Sequence, residues 1–165
     1  DDRDRIECYD QLAGSLVEDA QAGVRGVGRW EVSIETDEDN NTIAVSLTGA
    51  AESDKTQSEE SITVVMRCRN GDTDLYISWQ DYLGNEASVQ TQIGDQSAVT
   101  QNWNLSASHQ SSFYPDDSTE FITQLLNADL LVAEVSPYRA RPVRATFNLT
   151  GLSDAIVPLR QTCSW

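Results

Sequence analysis

The run Ile62-Thr63-Val64-Val65-Met66-Arg67-Cys68 and the return Leu75-Tyr76-Ile77-Ser78-Trp79, joined through Asn70-Gly71, constrain this chain more than any other feature. Asn-Gly is the pair selected by a type I′ turn, in which both central residues need positive φ. Alternation places Ile62, Val64, Met66 and Cys68 on the inward face of one strand, and Leu75, Ile77 and Trp79 on the inward face of its partner. The fold must therefore be built around an antiparallel hairpin.

The same period of two recurs on both sides. Trp30, Val32 and Ile34 alternate with Glu31, Ser33 and Glu35, and Ile43, Val45 and Leu47 follow the polar loop Asp37-Glu38-Asp39-Asn40-Asn41, which reads as a second hairpin. Further strands are expected at 87–93, around Trp103, at 130–135 and at 143–149. Helical spacing appears at Ile6, Tyr9, Leu12, Ala13 and Leu16, and again at Phe121, Ile122, Leu125 and Leu126 behind the capping-box spacing Asp117-Ser118-Thr119-Glu120. Leu152, Ile156 and Leu159 share a helical face, with Pro158 expected to kink or end that helix. Residues 51–60 and the polar run 106–112 read as solvated loops. The expected fold is α+β and β-rich: an antiparallel sheet or sandwich with an N-terminal helix, a helix near 117–128 and a short C-terminal helix. Its 165 residues form one domain, with the N-terminal helix at 1–17, a Gly-containing connection at 18–29 and the β-rich body at 30–165.

Three cysteines carry the covalent information. Cys68 faces inward on its strand and Cys163 lies near the C-terminus, so a Cys68–Cys163 disulfide would pin that terminus by closing a loop of about 95 residues, worth on the order of 4 kcal/mol in the chain-entropy model. Cys8 then looks to a partner cysteine upstream of this segment. The competing reading is three buried, reduced thiols in a cytosolic protein.

Charge narrows the partners. With 27 acidic and 11 basic residues the formal charge is −16, which repels phosphate backbones and anionic lipid. Lys55 is the only lysine beside ten arginines, a bias compatible with a salty habitat, although an acidic surface also keeps an exported domain in solution. No apolar run reaches membrane-spanning length, and no signal peptide opens the chain.

Catalytic chemistry has little to work with. His109 is the single histidine, beside serines but without a nucleophile elbow, and it excludes sites that need several imidazoles. The loop 37–41 opens like a calcium loop, but Thr42 and Thr48 stand where glycine and a bidentate glutamate belong. Asp117 of the Asp116-Asp117 pair is explained by capping. No metal and no cofactor are expected. The one basic spot is Arg139, Arg141 and Arg144 beside Tyr138, an interface-like composition; the competing reading pairs these arginines with the molecule's own carboxylates.

Taken in order, Arg5-Ile6-Glu7-Cys8-Tyr9-Asp10-Gln11-Leu12-Ala13, Gly28-Arg29-Trp30-Glu31-Val32-Ser33, the block from Met66 to Trp79, Tyr82-Leu83-Gly84, Pro137-Tyr138, the block from Ala145 to Leu152, and Pro158-Leu159-Arg160-Gln161-Thr162-Cys163-Ser164-Trp165 resemble type VI secretion-associated accessory proteins of the VasI or TagO kind. The block from Trp103 to His109 departs from that pattern, which has an acidic residue soon after the serine. The resemblance implies a non-catalytic, exported, periplasmic accessory protein of a Gram-negative bacterium with a protein partner in the cell envelope. Two other readings stand beside it: an inhibitor or binding module for a cationic periplasmic hydrolase, and an accessory protein from a phage-derived region.

Overall fold

The computed structural model describes residues 24–27, 30–37, 42–51, 53–54 and 61–165. Its strands are β1 (Val24–Val27), β2 (Trp30–Asp37), β3 (Thr42–Ala50), β4 (Ser53–Asp54), β5 (Thr63–Arg69), β6 (Asp72–Ser78), β7 (Ala87–Ile93), β8 (Val99–Leu105), β9 (Ser111–Phe113), β10 (Leu130–Val135) and β11 (Val143–Asn148). Helices are α1 (Ser118–Leu126), α2 (Leu152–Ala155) and α3 (Val157–Cys163). The strands form one hydrogen-bonded order, β1-β2-β3-β5-β6-β9-β8-β7-β10-β11-β4, and the pairings are antiparallel. β8 is shared along its length: 99–103 pair with β7, while Asn104 and Leu105 pair with β9.

The β5–β6 hairpin follows the Asn-Gly rule, with φ of 54° at Asn70 and 81° at Gly71. Ile62, Val64, Met66, Cys68, Leu75, Ile77 and Trp79 are all fully buried. Full burial of a large apolar side chain contributes about 1.5–3 kcal/mol, so this hairpin is a main source of the core's stability. The Trp79 indole N–H donates to Ser112 Oγ at 2.9 Å, which satisfies a donor in that core. On β2, Trp30 sits opposite Gly49 of β3 and is 1% exposed. A Cβ at Gly49 would lie 2.6 Å from Trp30 Cζ3, so the indole occupies the space that glycine leaves open.

The helices close the core. Asp117 caps α1, accepting from the backbone N–H of Thr119 at 2.9 Å and of Glu120 at 3.3 Å. Phe121 on its apolar stripe stacks on Tyr114, and Trp103 packs edge-on against both rings. Pro158 lies in the first turn of α3, after α2 has ended at Ala155, so the expected single helix is two. Proline is tolerated there because its missing N–H is one that a helix start leaves unbonded anyway. α3 packs on β3 and β5, where Cys163 is bonded to Cys68 with a Cα–Cα distance of 5.9 Å. Trp165 follows the helix and donates from its indole to Thr73 Oγ1 at 2.9 Å.

Three short strands correct the sequence reading. Residues 24–27 within the expected connection form β1 on β2, Ser53–Asp54 within the expected loop pair with β11, and Ser111–Phe113 form β9 between β6 and β8. Each has too few residues to show a period and owes its extended form to a partner strand: the adjacent β2 for β1, and strands distant in sequence for β4 and β9. The expected helix at 1–17, Cys8 and the loop 38–41 lie outside the described residues.

Candidate functional site

Three loops meet at one end of the sheet. The segment after β6 (79–86), the turn between β8 and β9 (106–110) and the turn between β10 and β11 (136–142) are joined by backbone bonds: Trp79 N–H to Gln110 O at 2.9 Å, Leu83 N–H to His109 O at 2.8 Å, and Tyr138 N–H to Tyr82 O at 3.1 Å. Buried anchors, Trp79, Leu83 and Pro137, hold these loops to the body. The residues beside them turn outward: Tyr82 is 51% exposed and Tyr138 55%.

The outward side chains form a connected cluster. Tyr82 stacks on His109 at 5.6 Å between centroids and meets Tyr138 edge-on at 6.1 Å. Arg139 lies over the Tyr138 ring at 5.0 Å, a cation–π contact. His109 Nδ1 is 2.5 Å from the Gly84 carbonyl oxygen, so Nδ1 carries the proton and donates. Gly84 has φ of 85°, and a Cβ there would lie 3.2 Å from Tyr138 Cβ, so the conformation and the close approach both call for glycine.

Each of the three loops also holds a non-glycine residue in the left-handed region: Gln80 at φ 65°, His109 at 58° and Arg139 at 54°. Such residues persist only where the surroundings over-determine them, at about 1–3 kcal/mol each, and they concentrate at ligand clamps and binding sites. The cluster is aromatic and cationic on an acidic chain.

Of the four residues expected at an interface, Tyr138 and Arg139 are in direct contact, and Arg141 and Arg144 are exposed on the same β10–β11 hairpin. Arg144 pairs in register with Glu134, which gives it a carboxylate neighbour of the molecule's own. Tyr82 and His109 were missed as part of this surface. The polar run around His109 reads as a solvated loop in the sequence, whereas in the structure His109 is half-buried against Tyr82 and Gly84. The available signal was Tyr82-Leu83-Gly84 and Pro137-Tyr138 recurring among the same ordered motifs. Among the described residues no group of three or more His, Cys, Asp or Glu side chains could hold a metal ion, and no helix is long and apolar enough to cross a membrane.

The architecture is that of a β-rich protein with one antiparallel sheet order, a disulfide tying a C-terminal helix to it, and an exposed aromatic–arginine loop cluster. It is similar to the crystal structure of invasion associated protein b from Bartonella henselae, with a TM-score of 0.58 at 9% identity, over 86% of this chain and 99% of that one. The likeness is one of fold. Comparison with curated proteins gives no match. The family model described as Type VI secretion system VasI, EvfG matches residues 1–165, and the chain belongs to that family. This associates it with type VI secretion, in an accessory family and not a known enzyme family.

Proposed function

We propose that this chain is a non-catalytic, exported accessory protein of a type VI secretion system, working in the periplasm by holding a protein partner of the cell envelope. The observation that carries the binding role is the Tyr82–Tyr138–Arg139 cluster. Exposed tyrosine and arginine on rigid supports lose little entropy on association and are the residue types that dominate binding hot spots. Arg141 and Arg144 extend the cationic side of the surface. A Cys68–Cys163 disulfide supports an oxidising compartment.

Site-specific photo-crosslinking in cells carrying the secretion apparatus tests this reading. A crosslinker in place of Tyr82 should capture a defined envelope protein, and one in place of the exposed Thr123 on α1 should not. Capture should disappear in the Arg139→Glu, Arg141→Glu double variant while its thermal midpoint stays unchanged; persistent capture would return the arginines to a solvated role. The formal charge of −16 favours a second reading, inhibition of a cationic hydrolase. That reading requires salt-sensitive, saturable inhibition of a basic lysozyme by the full chain.

A further inference from the structure

Strands β7, β8 and β9 contain no Asp, Glu, Lys or Arg, in a chain that is 23% charged. On their outer face Gln90 pairs across β7–β8 with Thr100, and Ser88 with Asn102; all four are exposed. Asn104, also exposed, pairs with Phe113 of β9, and Phe113 pairs with Tyr76 of β6. The two rings are half-buried with centroids 4.7 Å apart. Charge resumes at both borders of this strip, as the Arg67–Asp74 ion pair at 2.9 Å on β5–β6 and as the register pair Glu134↔Arg144 on β10–β11.

Two features set the strip apart from an ordinary solvated sheet face. Exposed cross-strand positions are commonly filled by opposite charges or β-branched residues, because these stabilise the pairing. Asparagine is depleted in strands, yet β8 carries it at both Asn102 and Asn104. An amide side chain both donates and accepts, which matches a ligand rich in hydroxyl and acetamido groups. Half-buried Phe113 adds apolar surface that the C–H faces of a sugar can meet, while the Tyr76 ring packs on Phe113 and carries the Arg67 guanidinium 5.7 Å from its centroid at the border of the strip. The uncharged lining suits a neutral polymer and gives nothing to a phosphate or to a cationic protein.

From this we infer that the outer face of β7–β8–β9 is a second binding surface, for the β-1,4-linked amino-sugar backbone of cell-wall glycan. Neighbouring strands lie about 4.8 Å apart, close to the length of one ring in an extended β-1,4 chain, so a glycan crossing the strands meets one strand per sugar. The choice of wall glycan rests on the envelope location proposed above; the surface itself borders the arginine side of the loop cluster through Glu134, which pairs with both Gln90 and Arg144.

Co-sedimentation of the full chain with purified peptidoglycan sacculi and with chitin, an uncharged β-1,4 amino-sugar polymer, tests the inference. The chain should sediment with both, equally well at low and high salt. The Asn102→Glu, Asn104→Glu variant should lose at least about tenfold in affinity with an unchanged melting curve, and the Arg139→Glu, Arg141→Glu variant should retain binding. No sedimentation, sedimentation abolished by salt, binding to sacculi but not chitin, or full binding by the asparagine variant would each overturn it. Because the measurement uses isolated polymers, it does not depend on where the protein resides or on capture of the protein partner.

Discussion

Breaking the Cys68–Cys163 bond should cost nearly the same whichever cysteine is replaced, and replacing both should cost no more than one. The bond closes a sequence separation of 95 residues. The chain-entropy relation gives about 4.7 kcal/mol at 25 °C for that loop, most of it from restricting the unfolded chain. At a shift of about 2–4 °C per kcal/mol for a chain of this size, the thermal midpoint should fall by about 9–19 °C. Cys68 is fully buried in the core, so alanine is the cleaner replacement there: a serine hydroxyl without a partner would add a desolvation penalty of about 1–3 kcal/mol. Cys163 is half-buried and accepts serine more readily. Urea unfolding of the wild type, Cys68→Ala, Cys163→Ser and the double variant, without reductant, forms a double-mutant cycle. The expected coupling is close to the full single-variant loss. Wild type in reductant should converge on the single variants, and the denaturant slope should rise once the cross-link no longer compacts the unfolded chain. Strictly additive losses would refute the reasoning, since they would mean that each cysteine contributes through packing alone.

Two further substitutions probe the body of the fold. Gly49→Ala should destabilise by about 1–3 kcal/mol through overpacking, because its Cβ meets the fully packed Trp30 ring, and Trp30→Leu should remove most of that penalty in the double variant; an additive pair in urea melts would refute the contact. The Asp117 carboxyl is held below its ordinary pKa of 3.8, first by the Thr119 hydroxyl and then by the Glu120 and Thr119 backbone N–H groups. Its capping contribution is therefore fully present above 3.8 and is lost as pH falls through the lower folded value. Asp117→Asn keeps a capping oxygen but not the titration, so wild type should lose more stability than this variant across that window in urea melts; identical pH dependence would exclude Asp117 from the acid response.

The central hairpin was legible in the sequence because it depends on local rules, and the covalent staple because one of its cysteines lies on that hairpin's inward face and the other near the end of the chain. Asn70-Gly71 dictates its own turn, the alternation around it dictates which side chains face inward, and Cys68 sits on that inward face. β7 and β10 were equally clear from their period. The Asp117 cap followed from spacing alone. Less was visible of the C-terminus, where Pro158 announced an interruption without showing that the chain would restart as a second helix.

Sequence by itself determined an antiparallel, β-rich body with a cysteine positioned to tie down its C-terminal end, and it singled out Tyr138 and its arginines as interface-like. Only the tertiary structure decided what stands beside them. Tyr82, His109 and Tyr138 belong to three loops separated by tens of residues, and they meet because β9 slots between β6 and β8 while the 136–142 turn bonds back to Tyr82. β4 and β9 were likewise decided by distant partners, and β1 by the neighbouring β2, since a strand of two to four residues has no period of its own and is extended only where another strand supplies its hydrogen bonds. The uncharged outer strip has the same origin: its residues lie on separate strands, and register alone makes them one surface.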